Sequence, residues 1–311
     1  MGLVLHLRLI SPPARTDEVA AVLDDCPGVT NIVIVPGAAR EPSGDLILCD
    51  AARESGNEVI DRLKWLKEEG SIAIEQVDLA LSKVAEEAVE KAPGEPDDAV
   101  IWEEFAHKVR ADSRITWAYL AFMAIATQLA GIAVLQNSPI LIVGAMVLGP
   151  EFGAIAAICF GLLGGRWRLV TTSLRTLVLG FAAGIAVTFA CALVSYWLGW
   201  IDLHNLRINA EVQFIVKPDR WSFIVALLAG AAGVLSVTAG KSSALVGVFI
   251  SVTTVPAAGY VAVALALSDW KEVPGSVAQL ALNILGMIIS GTVTLMVQRR
   301  FWPQVGRRSS L

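Results

Sequence analysis

The sequence predicts an α-helical polytopic membrane protein of about six transmembrane helices, preceded by an α+β soluble domain. Three observations carry that expectation. The 311 residues are 55% hydrophobic, with a mean hydropathy of +0.63, too apolar for an ordinary soluble enzyme. The charge is split: residues 1–112 hold 11 bases against 23 acids, a net of −12, whereas residues 113–311 hold 13 bases against 6 acids, a net of +7. The basic half is also where long apolar runs alternate with short polar loops, so the two parts are built for different solvents.

The N-terminal part reads as short alternating elements. Leu3–Ile10 alternates Leu5, Leu7 and Leu9 with His6 and Arg8, the pattern of a half-buried strand. Thr16 or Asp17 caps a helix that carries Val19, Val22 and Leu23 and ends at Pro27-Gly28. Val29–Val35 is a β-branched strand stopped by Pro36-Gly37, and Asp45–Cys49 is a short one. Asn57–Glu69 is a helix presenting Val59, Ile60, Leu63 and Leu66, and Ser71–Leu81 alternates again. The order β-α-β-β-α-β is that of a split-βαβ, ferredoxin-like sheet, taken to span residues 1–82. Such modules serve either assembly and docking or the sensing of a small molecule, an analogy from fold alone.

Residues 83–114 read as a helical linker. Lys83–Lys91 is charged and helical, Pro93-Gly94-Glu95-Pro96 breaks it, and a second amphipathic helix with Val100, Ile101, Phe105 and Val109 ends near Asp112.

Six spans fit residues 115–302: Trp117–Leu135, Pro139–Leu163, Leu169–Leu198, Trp221–Ala239, Ala244–Leu267 and Val273–Val297. Residues 303–311 form a basic tail. With the soluble domain inside, the inner flanks carry Arg114, Arg166, Arg168, Arg175, Lys241, Arg299, Arg300, Arg307 and Arg308. The outer loops carry only Arg207, Lys217, Arg220 and Lys271. That asymmetry places both termini in the cytoplasm. Trp117, Trp167, Trp197, Trp200, Trp221, Trp270 and Trp302 fall at span ends, as an interfacial aromatic belt requires. The outer loop Gly199–Arg220 mixes apolar and charged residues and is expected to lie in the interface or cover the outer mouth.

The second and fifth spans read as a pair. Ser138–Ile158 and Ser243–Ala264 each open with Ser, reach a Gly, and then present Pro-x-x-Gly, as Gly144, Pro150, Gly153 and as Gly247, Pro256, Gly259. Each is the second span of a three-span unit, so the pattern predicts a 3+3 inverted repeat whose broken helices mark a transport site. Pro150 and Pro256 should each kink or break their helices and free backbone carbonyls. Glu151 is the single acid of its span. A carboxyl there is expensive unless paired, neutralised or wetted, so it is either a site residue or structural glue paired with Lys241 or Arg175. Candidate pathway residues are Glu151, Pro150, Gly149, Gly153, Asn137, Ser138, Pro256, Ser251, Thr253, Thr254 and Asn283. One carboxylate facing hydroxyls and open carbonyls suits a proton or a hydrated cation.

Other chemistries find little material. Cys26, Cys49, Cys159 and Cys191 show no pair spacing, and His6, His107 and His204 lie outside the spans, so no metal centre or disulfide framework is expected. Gly240-Lys241-Ser242 lacks the upstream glycine and strand of a phosphate-binding loop. The first 13 residues have no basic n-region and no long apolar run, so no signal peptide is read there. The expected function is a channel or transporter for an ion or small solute. The alternative is a membrane-anchored sensor or scaffold; no enzyme, cofactor or nucleic-acid partner is expected. Glycine-rich spans point to a homo-oligomer, a dimer or trimer, within the bilayer.

Asn137–Gly153 (NSPILIVGAMVLGPEFG) resembles a bacterial family of uncharacterised membrane proteins described only as a conserved hydrophobic domain of unknown function. In that family the segment is similar to Ser-Pro-x-x-Ile/Val-Gly-Ala-Met-x-x-x-Pro. The β-α-β-β-α-β domain and the Pro-Gly-Glu-Pro linker resemble an actinobacterial-type branch of it, which implies a bacterial inner membrane location. Other members have Leu or another apolar residue where this chain has Glu151, so the resemblance implies no universal role for the acid, and no activity.

Overall fold

A computed structural model of the chain describes residues 4–77, 82–92, 100–202, 206, 219–239 and 252–301. Ser251, Lys241 and Gly247, named above, lie outside the described residues. The chain forms two compact units, Met1–Glu104 with Arg300–Leu311, and Phe105–Arg299.

The first unit is a four-stranded sheet with helices. Strands β1 (Val4–Ser11), β2 (Val29–Arg40), β3 (Ser43–Ala52) and β4 (Ser71–Val77) stand in the order β2-β3-β1-β4, every neighbouring pair antiparallel. The alternation in β1 sets the core: Leu5, Leu7 and Leu9 are fully buried, with Leu7 opposite both Cys49 and Ile74. Helix α1 (Thr16–Asp25) lays Val19 and Leu23 on this layer, and α2 (Gly56–Arg62) adds Val59 and Ile60.

Two expectations are revised in this unit. The strand expected to stop at Pro36-Gly37 continues to Arg40, because register shifts between Val35 and Ala39 absorb the proline on an edge strand, where a missing N–H costs no ladder bond. The single helix Asn57–Glu69 is two, α2 and α3 (Leu66–Glu69). Between them the Leu66 N–H bonds to the Leu63 carbonyl at 2.9 Å, a tightened turn that brings both leucines into the core. Helix α4 (Lys83–Lys91) belongs to this unit: Ser82 Oγ accepts from the Ala85 N–H, and Ala85 and Ala88 are buried, with α4 packed on β2 and β3. Asp45 accepts from Thr16 Oγ1 at 2.6 Å and from the Gly37 N–H at 2.8 Å, which hold its carboxyl below the usual range.

The second unit takes up most of α5 (Trp102–Asp112) and then the apolar helices. Among the described residues four are long and apolar enough to cross a membrane: α6 (Trp117–Gln136), α9 (Trp167–Trp197), α10 (Arg220–Thr238) and α12 (Val273–Phe301), the last counted to Arg300. The stretch read as the second span is two helices, α7 (Pro139–Leu148) and α8 (Glu151–Leu163), bent by 50° at Gly149-Pro150. Pro150 has no N–H to continue the ladder, so the chain restarts rather than curves. From the stretch read as the fifth span comes α11 (Thr254–Ala266); its 13 residues rise about 20 Å, less than a hydrocarbon core of about 30 Å. Large apolar side chains such as Leu174, Val178, Val187 and Val194 face outward from α9, the surface of a helix solvated by lipid rather than water. These helices fit a membrane protein.

Glycines set the helix spacing. A Cβ on Gly184 of α9 would lie 2.5 Å from Thr127 Oγ1 of α6, and one on Gly230 of α10 would lie 2.5 Å from the Met287 carbonyl of α12. The two short helices are clasped between the long ones. Helix α11 packs on α6 and α9, with Gly259 against Ala130 and Gly131. Helix α8 meets α10 where Phe152 fills the space beside Gly233, and meets α12 where Cys159 Sγ lies near Gly291. Nearly every residue of α8 and α11 is buried.

Candidate functional site

Helices α8 and α11 have the same length and begin at the same place. Glu151 is the first residue of α8 and Thr254 the first of α11. The Thr254 hydroxyl donates to Glu151 Oε1 at 2.6 Å, and both residues are buried. Thr253, the residue ahead of α11, accepts at Oγ1 from the Asn283 amide at 3.1 Å and from the Gln279 amide at 3.4 Å. A continuous polar patch therefore runs from Glu151 through the threonine pair to α12, inside an apolar bundle.

The patch is not fully satisfied. Among the described residues Glu151 Oε2, Gln279 Oε1 and Ser276 Oγ are buried without a hydrogen-bond partner. A native interior pairs nearly all such atoms, and an orphan marks a place where water, an ion or a solute group belongs. Glu151 Oε2 lies over the backbone of Gly149, where a Cβ would come within 2.2 Å of it and within 2.7 Å of Val255 Cγ2. A β-carbon there would oblige the Glu151 carboxyl and Val255 to shift.

The helix starts are also bare. Thr116, Ser138 and Asp219 cap α6, α7 and α10 with side-chain oxygens. Neither Pro150 nor Thr253 caps the helix it precedes. The first N–H groups of α8 and α11 thus reach a buried junction without the usual acceptor.

The structure sorts the sequence-named residues. It brings together Glu151, Thr253, Thr254 and Asn283, with Gly149 and Pro150 making the break. Gly153 lies on another face of the first turn of α8, where a Cβ would be 2.7 Å from Asp112 Cβ. Together with Asp112, Arg114, Tyr119 and Pro150 it lines a pocket of about 350 Å³. Pro256 is the third residue of α11, in a first turn that needs no N–H from it, so it neither kinks nor breaks the described helix. Asn137 and Ser138 form the tight turn at the other end of α7: Asn137 closes α6 in the left-handed conformation at φ 55°, and Ser138 caps α7. Ten residues of α7, about 15 Å, separate that turn from Glu151.

The sequence reading missed Gln279 and Ser276. Their signal was available: Ser276, Gln279 and Asn283 recur at three- and four-residue spacing, one buried polar face on an otherwise apolar helix.

The chain is 26% identical over 167 residues to an uncharacterized protein of Methanocaldococcus jannaschii, a stretch covering 54% of this chain and 50% of the relative. The chain thus spans about half the length of the curated relative that it matches. No solved structure matches it. Residues 146–289, which begin near the end of α7 and take in the whole Glu151–Thr254 junction, match the family described as Domain of unknown function (DUF389).

Proposed function

We propose that the chain is an integral membrane channel or transporter for an ion or small solute, with the Glu151–Thr254 junction as its passage site. The observation that carries this reading is a buried carboxyl with one unpartnered oxygen, held where two short helices begin. An anchor for a soluble domain gains nothing from such a junction, since each buried polar group left unpaired costs about 1–3 kcal/mol. A transport site needs it, because a solute that sheds water must find replacement partners inside the bilayer.

In this reading α6–α9 and α10–α12 are the two halves of an inverted repeat, with α8 and α11 as the equivalent short helices. Helix α11 packs on α6 and α9 of the other half, while α8 packs on α9 of its own half and reaches α10 and α12 of the other through Phe152 and Cys159. Interrupted helices meeting at a repeat interface are where transporters hold their cargo. The N-terminal unit, of ferredoxin-like topology, is an assembly or regulatory domain. The protein works as a homo-oligomer, dimer or trimer, in the bacterial inner membrane with both termini cytoplasmic.

Purified full-length protein in liposomes tests this. Protein-dependent flux is expected for at least one member of a panel of inorganic ions and small solutes. The pair Gln279→Leu and Asn283→Leu is expected to lower it about tenfold or more, the effect of removing two polar partners from a path. A broad panel without protein-dependent flux sinks the reading.

A further inference from the structure

Two helix N-termini converge at Glu151, and the electrostatics of that arrangement name a class of ligand. Each N-terminus carries roughly half a positive charge in its unpaired N–H groups. Here both are buried and neither has a side-chain cap, whereas α6, α7 and α10 are capped; α9, also uncapped, begins at exposed residues where water serves. Together α8 and α11 present about one unit of positive charge. Among the described residues, the buried carboxyl at this junction is that of Glu151; Asp112 lies on another face of the first turn of α8, against Gly153. The hydroxyl of Thr254 points at the carboxyl, and the amides of Gln279 and Asn283 point at Thr253, whereas Gln279 Oε1 is a buried acceptor with no partner among the described residues. Glu151 is thus a tethered anion in an anion's place, with Oε2 fixed by no partner among the described residues.

We infer that this junction binds a small inorganic monoanion, of the class of chloride or nitrate, in the place that the Glu151 carboxylate holds, together with one proton taken up by that carboxyl. The inference rests on the transport reading of the same site and reverses the cation expected from the sequence. A proton from solution neutralises Glu151, the two helix starts are left facing a neutral group, and an anion from solution restores the balance. When the anion leaves, the proton leaves too, and the carboxylate returns. One proton therefore accompanies each anion.

Glu151 is the titratable group that the Thr254 hydroxyl holds at the junction, and other titratable groups stand on the elements around α8. Helix α5 brings Asp112 and Lys108, α6 brings Tyr119, whose hydroxyl donates to the Thr176 carbonyl, and α11 brings Tyr260. The bases Arg168 and Arg175 of α9, Arg220 of α10, and Arg299 and Arg300 of α12 are all exposed, as are Arg114 and Arg166. Cys159 of α8 donates to the Ile288 carbonyl.

The test uses full-length protein in nanodiscs and in liposomes, with sodium chloride and sodium nitrate as probes against sodium gluconate. Chloride or nitrate is expected to raise the melting temperature of wild type more as the solution is acidified from about pH 8 to about pH 5, with a gain in affinity of up to tenfold per pH unit. Glu151→Gln, which keeps the shape and removes the charge, is expected to bind the anion equally at both ends of that range. Loss of Na⁺ or K⁺ flux in Glu151→Gln, with no anion effect in wild type, overturns the inference and leaves the transport reading standing. A pH-dependent anion shift without flux of any ion does the reverse. Should Glu151→Gln fail to fold, wild type alone decides, since an anion response that does not change with pH refutes the coupling.

Discussion

Thr254 and Glu151 are 103 residues apart in sequence and 2.6 Å apart in space, joined by a single hydrogen bond between the first residues of two helices. The bond fixes which way the carboxyl points and leaves its other oxygen open.

Replacing Thr254 by Val keeps the volume and removes the donor. The variant is expected to lose about 1–3 kcal/mol, because a buried acceptor is left without its partner. Thr254→Ser keeps a hydroxyl and is expected to recover most of that loss. Thermal unfolding of the three proteins in one detergent measures both; equal melting temperatures for Val and Thr would show that the bond carries no weight.

Glycine contacts give a contrast between two positions. Gly230→Ala would place a methyl 2.5 Å from the Met287 carbonyl and 2.6 Å from its Cα, atoms of a neighbouring backbone that cannot turn aside. A loss of about 1–3 kcal/mol is expected from the forced separation of α10 and α12. Gly144→Ala meets only Leu129 Cδ2 at 3.6 Å, an ordinary contact. That substitution is expected to be neutral or to stabilise by up to about 1 kcal/mol, since Ala is the better helix former. Melting curves that rank the two the other way would refute the close approach of α10 and α12 at Gly230.

The N-terminal unit has an acid-sensitive lock. Thr16 first, and then the Gly37 N–H, hold the Asp45 carboxyl below its ordinary value of 3.8. A carboxyl shifted down stabilises the folded state above its unfolded pKa and loses that contribution as pH falls through its folded pKa. Protection of β2 and β3 peptides in the full chain, corrected for the intrinsic pH dependence of amide exchange, is expected to be flat above about pH 4 and to fall below it. In Asp45→Asn that acid limb is expected to be weaker. An unchanged limb would assign it to other carboxyls.

Two thiols of the same unit are predicted to be inert. Burial pushes Cys49 up to about 12 and also raises Cys26. At about pH 8 the Cys49 thiolate is then about one part in ten thousand. Iodoacetamide is expected to leave both unlabelled in native protein and to label both after denaturation, as peptide mass spectrometry would read. Fast native labelling of Cys49 would contradict its burial in β3.

Local pattern made some of this legible and could not reach the rest. The alternation of Leu5, Leu7 and Leu9 told the face of β1, because a strand's period is two and its core side is recorded in every second residue. Pro150 declared a break because its chemistry forbids a continuous helix, and Glu151 declared itself by cost. The hydrogen bond between Glu151 and Thr254 could not be read, since nothing local links residues on different helices. Pro256 stands in the first turn of α11, two residues after the helix starts, and the chain just ahead of Val252 lies outside the described residues. Gln279 was passed over because a single carboxamide in an apolar run has many innocent explanations. Only its place beside Thr253 separates it from them.

Gly149 ties its own identity to that of Glu151. Any residue with a β-carbon at 149 would collide with the carboxyl of Glu151 as it is now held, so the carboxyl that Thr254 positions would have to shift. Gly149 accepts an apolar residue at 151, but the acid does not accept a larger residue at 149. The two positions are therefore coupled in this fold: a change at 149 is felt first at the carboxyl of Glu151.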